Sequence, residues 1–113
     1  MKTETPSSYE EAAAVMGRCG TEGLTLRVRG GGTKWSWGRP VPEPDVDVST
    51  TGLGRLVEHN AGDLTAVVEA GARLETVQGT FAAEGQMLAL DPPAHGGRAG
   101  EGPGAATVGG VLA

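Results

Sequence analysis

The chain has 113 residues, with 9 Lys and Arg against 14 Asp and Glu, and a formal net charge of −5. That length suits one small domain with a modest core, and the acidic balance speaks against a nucleic-acid partner, which would need a basic face. One cysteine, Cys19, excludes an intrachain disulfide and a cysteine-based zinc site; the residue reads as a small buried hydrophobe in a reducing compartment.

Hydrophobic residues make up 38% and aromatic residues only 4%, so the core is expected to be Val, Leu and Ala. The 20 glycines and 7 prolines approach the range of low-complexity chains. Strand patterning at Leu24–Val28, Asp45–Ser49 and Thr65–Glu69 argues that they form loops instead. The stretch Met1 to Pro6 lacks the apolar segment of a signal peptide. No apolar run approaches the roughly 20 residues that span a bilayer. No transmembrane segment and a cytoplasmic location are therefore expected.

In chain order, residues 1–7 read as a disordered lead. Ser8 stands three before Glu11, the spacing of a capping box, and opens a helix. Tyr9, Ala12, Ala13, Met16 and Cys19 then share one helical face, and Gly20 and Gly23 end it. Leu24 to Val28 alternates as a strand. Pro40, Pro42 and Pro44 suit an extended connector. Asp45 to Ser49 alternates as a second strand, and Thr50 to Gly54 turns. Arg55–His59 and Leu64–Glu69 flank Asn60-Ala61-Gly62-Asp63, which predicts an antiparallel hairpin. Leu74, Val77, Gln78 and Phe81 share a second helical face that Gly85 stops. Met87 to Leu90 is short and apolar. Ala94 to Ala106 is Gly-rich and reads as a mobile loop, and Val111 to Ala113 reads as the opening of a further helix. The expected fold class is α+β: a small mixed sheet with two flanking helices.

The chemistry-bearing stretch is Gly30-Gly31-Gly32-Thr33-Lys34, placed where the Leu24–Val28 strand ends. Three residues without Cβ allow positive φ and let successive N–H groups converge on one anion; a hydroxyl and a cation follow. Two readings fit these residues: a phosphate cradle and a plain flexible turn. Lys34 reads as a phosphate partner or as an exposed lysine. The loop is no Walker A motif, because Thr33 separates Gly32 from Lys34. It is no Rossmann fingerprint either, because Trp35 stands where the third glycine belongs. Gly100, Gly102 and Ala105 match that fingerprint loosely, but no strand precedes them and Pro103 interrupts. His59 and His95 lie in different segments, and no further ligands assemble into a metal site with them. Of Trp35 and Trp37, one is expected to pack on the core. Glu58, Asp63 and Glu69 read as a solvated acidic face before a catalytic pair.

Five segments occur in order: Val28-Arg29-Gly30-Gly31-Gly32-Thr33-Lys34, Asp47-Val48-Ser49, Val68-Glu69-Ala70-Gly71, Leu90-Asp91-Pro92 and Ala106-Thr107-Val108-Gly109-Gly110. Together they resemble the first part of the FAD-binding domain of the vanillyl-alcohol oxidase/p-cresol methylhydroxylase (PCMH-type) family. Within it, the likeness is to the FAD-binding subunits of glycolate oxidase.

The resemblance implies an FAD pyrophosphate cradle at Gly30, Gly31, Gly32 and Thr33, with Lys34 beside it. It implies a flavin-side lining from Val108, Gly109 and Gly110, and places Pro92 near the cofactor. The FAD is expected to be non-covalent, because Thr33 and Lys34 stand where some relatives carry a flavin-bonding histidine. The implied activity is oxidation of a 2-hydroxy acid by hydride transfer to FAD, with other subunits of a hydroxy-acid oxidase complex as partners. Val28 replaces a frequent proline of the family. The family domain continues past the Gly-Gly segment and is followed by a substrate domain. Residues 8–113 are thus expected to be a partial domain, and no catalytic residue is assigned. The chain alone is expected to bind FAD weakly or not at all and to show no turnover. The alternative is a non-catalytic fragment or a small anion-binding module.

Overall fold

A computed structural model of the protein describes residues 2–32, 38–39, 42–90 and 106–112. Strand β1 (Lys2–Glu4) is followed by helix α1 (Tyr9–Glu22), strands β2 (Leu26–Arg29) and β3 (Val46–Ser49), and a 3₁₀ turn at Thr50–Gly52. Strands β4 (Leu56–Asn60) and β5 (Thr65–Val68) come next, joined by a 3₁₀ turn at Ala61–Asp63. Helices α2 (Leu74–Ala82) and α3 (Val108–Leu112) complete the order. The α+β class is observed. Among the described residues the strands divide between two sheets: a parallel one in the order β1-β3-β2 and the antiparallel pair β4-β5.

The lead expected to be disordered is corrected, because Lys2–Glu4 pairs in parallel with Val46–Val48. A central strand offers a ladder on each side, and β3 uses both. Glu4 also holds Arg18 of α1 at 2.8 Å. β3 is consequently buried at all four positions, on both faces.

α1 begins as its residues predict. Ser8 Oγ accepts the Glu11 N–H at 3.1 Å, while the Glu11 carboxylate accepts from the Ser7 N–H at 2.8 Å. Gly23, with φ of 67°, closes the helix in the left-handed conformation. The buried face differs from the expected one. Val15 and Cys19 pack on Val46 and Val48, whereas Tyr9 is 62% exposed and Met16 46%. A three-stranded sheet covers only a narrow stripe of helix, and that stripe runs through Val15 and Cys19.

The expected strand at Leu24–Val28 begins later. Thr25 gives its N–H and hydroxyl to the Asp45 carboxylate at 2.9 and 3.1 Å, and its hydroxyl accepts the Asp45 N–H. The ladder then runs from Leu26↔Val46 to Arg29↔Ser49. Its alternation is inverted relative to the apolar pattern: Leu26 and Val28 are exposed, and Arg27 and Arg29 are half-buried. Leu26 and Val28 share a face with Val46 and Val48, but α1 covers the central strand and leaves this edge open.

The hairpin, the second helical face and the stop at Gly85 match expectation. Leu74, Val77 and Phe81 are buried, and Gly85 has φ of 68°. Ala72, Val77 and Phe81 form a second core cluster that Leu56, Val68, Leu88 and Val108 join. Gln78 pins the chain after the helix, bonding the Leu88 carbonyl and N–H at 2.7 and 2.9 Å. Trp35, Trp37, Pro40, His95 and almost all of the loop expected at Ala94–Ala106 lie outside the described residues.

Glu69, read from the sequence as part of a solvated face, is buried. Its carboxylate accepts the Arg55 N–H at 2.9 Å and Arg55 Nε at 3.1 Å. The Arg55 hydrogen bond holds the Glu69 carboxyl below its ordinary value of 4.5, with Tyr9 adding support. Because the folded value is depressed, the stabilisation is complete above 4.5 and is lost as pH falls through the lower folded value. Thermal midpoints measured from neutral pH downward should therefore show Glu69→Gln less stable than wild type at neutral pH. The gap should close in acid; a gap independent of pH would refute the linkage.

Candidate functional site

The carboxyl ends of β2 and β3 meet at one edge of the parallel sheet, the edge at which open α/β sheets place ligands. β2 runs into Gly30-Gly31-Gly32, and β3 runs into the Thr50–Gly52 turn. Thr50 Oγ1 donates to the Arg29 carbonyl at 3.2 Å and ties the two ends together. Ser49 Oγ accepts the Thr51 N–H at 3.4 Å and lies 2.8 Å from Thr51 Oγ1. Gly30, Gly31 and Gly32 are half-buried. Gly32 has φ of 74°, the left-handed backbone that an anion nest uses.

Segment 106–110, remote in sequence, is laid against this edge. The Leu74 N–H donates to the Ala106 carbonyl, the Val108 N–H to Ala72 and the Gly109 N–H to Ala70, each at 2.9 Å. Thr107, 2% exposed, then comes against Gly30. A Cβ added at Gly30 would overlap Thr107 Oγ1, and one added at Gly109 would sit 2.9 Å from Ala70 Cβ. Gly71 is a third such position, because a Cβ there would overlap the Thr50 carbonyl. At these three positions a remote segment approaches closely because the glycine carries no Cβ.

The structure thus sets Gly30, the first glycine of the turn, against Thr107, the residue before Val108, Gly109 and Gly110. Thr33, Lys34 and Pro92 lie outside the described residues. The two glycine groups differ in what they offer. The Val108 and Gly109 N–H groups serve carbonyls, and the Gly110 N–H donates to Thr107 Oγ1 at 3.2 Å. That segment therefore presents a small, side-chain-poor surface, with its donors already used. Val108 itself packs into the second core cluster.

Sequence reasoning passed over two residues. Thr107 carries the contact between the two halves of the site; its polar type in an apolar, glycine-rich segment was the available signal. Asp47, 1% exposed, lies under the strand end and accepts Arg27 Nε at 3.3 Å and Arg29 Nε at 2.6 Å.

A second concavity of about 360 Å³ lies between β5 and α2, lined by His59, Val68, Phe81, Leu88, Val108 and Leu112 among others. His59 Nε2 lies 3.1 Å from Gln86 Oε1, and its ring is 4.9 Å from that of Phe81. Among the described residues no group of three or more His, Cys, Asp and Glu is placed to hold a metal, and no helix is long and apolar enough to cross a membrane.

A glycine turn at a sheet edge, left-handed at Gly32, has the backbone of an anion nest. The family model described as the FAD binding domain matches residues 3–113. No curated protein matches the chain. The PCMH-type FAD-binding resemblance is thereby supported at family level. Since the match runs from the third residue to the last, the chain belongs to the FAD-binding-domain family.

Proposed function

We propose that this chain supplies the dinucleotide-holding portion of a flavoprotein oxidoreductase. One observation carries the reading: the turn at Gly30–Gly32 and the segment at Val108–Gly110 meet through the contact of Gly30 with Thr107. Gly30, Gly31 and Gly32, with Thr33 and Lys34, would hold the FAD pyrophosphate. Val108, Gly109 and Gly110 would face the flavin with a surface that lets a flat ring approach, and Pro92 would lie nearby.

When bound, FAD supplies the hydride acceptor, and the protein supplies binding and orientation. The reaction class we assign to the complete enzyme is oxidation of a 2-hydroxy acid, as in the glycolate oxidase subunits, alongside other subunits of such a complex. The FAD is held without a covalent bond.

The test is a titration of the isotope-labelled chain with FAD and with inorganic pyrophosphate, followed by amide resonances. FAD should perturb Gly30, Gly31, Gly32 and the 108–110 segment together, and acid precipitation should release the flavin to the supernatant. Pyrophosphate should perturb the glycine turn alone. Gly32→Val, which forces a branched side chain into φ of 74°, should lose both responses. Equal affinity for the two probes, with no response at 108–110, would mark a plain anion-binding module. Unaltered FAD binding by Gly32→Val would overturn the cradle.

A further inference from the structure

We infer that Asp47 is the positioning residue of the glycine turn: it does not touch the cofactor but fixes the strand end from which the turn departs. The inference rests on reading Gly30–Gly32 as the phosphate cradle. Asp47 sits on β3, which is laddered on both sides and is the least movable strand of the sheet. Its two oxygens are divided between two arginines of β2, Oδ1 to Arg27 Nε at 3.3 Å and Oδ2 to Arg29 Nε at 2.6 Å. Among the described residues β2 pairs on one side only, so its end depends on such clamps to stay in register. Arg29 is the last residue of β2 and precedes Gly30 directly. Asp47 holds its side chain, and Thr50 holds its carbonyl.

A buried carboxylate is costly to desolvate, so an ion pair of this kind is weak evidence of net stability. Two roles for Asp47 make opposite predictions. Asp47→Asn removes a negative charge beneath the turn. If only the local field mattered, the variant would bind an anion more tightly. If Asp47 positions the turn, binding weakens although the charge has become more favourable.

The experiment compares the wild-type chain with Asp47→Asn, Arg29→Lys and the double variant. FAD and inorganic pyrophosphate affinities are read by titration, and amide hydrogen exchange is read without ligand. Asp47→Asn and Arg29→Lys should each weaken binding of both probes by roughly tenfold, the scale of one lost charge-assisted hydrogen bond. The double variant should lose less than the sum of the two single losses, because both weaken the Asp47–Arg29 contact. Exchange should quicken at Gly30, Gly31 and Gly32 and stay unchanged across β4 and β5. Equal or tighter probe binding by Asp47→Asn overturns the proposal, as does unchanged exchange at the three glycines. If Asp47→Asn does not fold, Arg29→Lys decides by the same exchange criterion. If wild type responds to neither probe, the cradle reading fails, and exchange at the glycines still decides on Asp47.

Discussion

Gly30→Val is expected to unlatch the candidate site and to abolish FAD binding. The first added carbon would overlap Thr107 Oγ1, and Thr107 cannot step aside. Its neighbours Ala106 and Val108 are held to Leu74 and Ala72 by backbone bonds at 2.9 Å, and its own hydroxyl accepts the Gly110 N–H. Overpacking of this kind costs roughly 1–3 kcal/mol, a large part of a small domain's margin. The strain falls on the joint between the two halves of the site, so binding should fail before the fold does. Denaturation curves and FAD titrations of Gly30→Val would measure both. A compensating change sharpens the test. In Gly30→Ala, adding Thr107→Ala removes the overlapping oxygen and leaves the nearest methyl contact near 3.2 Å. The double variant should be more stable than Gly30→Ala alone. Additive losses would show that the overlap is not the cause.

Phe81→Ala is expected to have the largest effect on stability. Phe81 is 8% exposed and joins Val77 and Ala72 in the second core cluster, with its ring 4.9 Å from that of His59. With only 4% aromatic residues, the chain has few large side chains to fill the space it would vacate. A phenylalanine truncated in a core costs about 3–5 kcal/mol, against a whole-domain margin of about 5–15 kcal/mol. Urea denaturation should show the loss. Val108 packs against the same cluster, so the truncation should also loosen segment 107–110 and speed its amide exchange. A loss below about 1 kcal/mol would mean that the cluster collapses around the gap, contrary to its role as a fixed support.

Much of this chain was legible because the signals are local. The Ser8 cap, the left-handed stop at Gly23, the hairpin around Asn60–Asp63 and the helical face through Leu74, Val77 and Phe81 depend on neighbours a few residues apart. Local rules of capping and periodicity therefore suffice for them. The order of the five short segments was likewise enough for the FAD-binding resemblance, which the family match over residues 3–113 supports. Misreadings arose where a distant partner decides. The lead was read as disordered because three residues of strand carry no period, and only the open side of β3 orders them. The helix face was placed through Tyr9 and Met16 because both are apolar in part, yet the narrow sheet reaches only Val15 and Cys19. Glu69 was read as solvated because its partner, Arg55, is supplied by the opposite strand of the hairpin.

The sequence by itself determined the element types from Ser8 to Phe81, the family and the place of the glycine turn, because composition, period and motif order are properties of the chain alone. Only the tertiary structure decided what each glycine is for. Gly32 takes a left-handed turn, whereas Gly30, Gly71 and Gly109 stand where a remote segment comes too close for a Cβ. Only the structure buried Asp47 between two arginines of the neighbouring strand. Close approach and ion pairing between remote segments depend on how sheets and turns stack, and no local pattern encodes that distance.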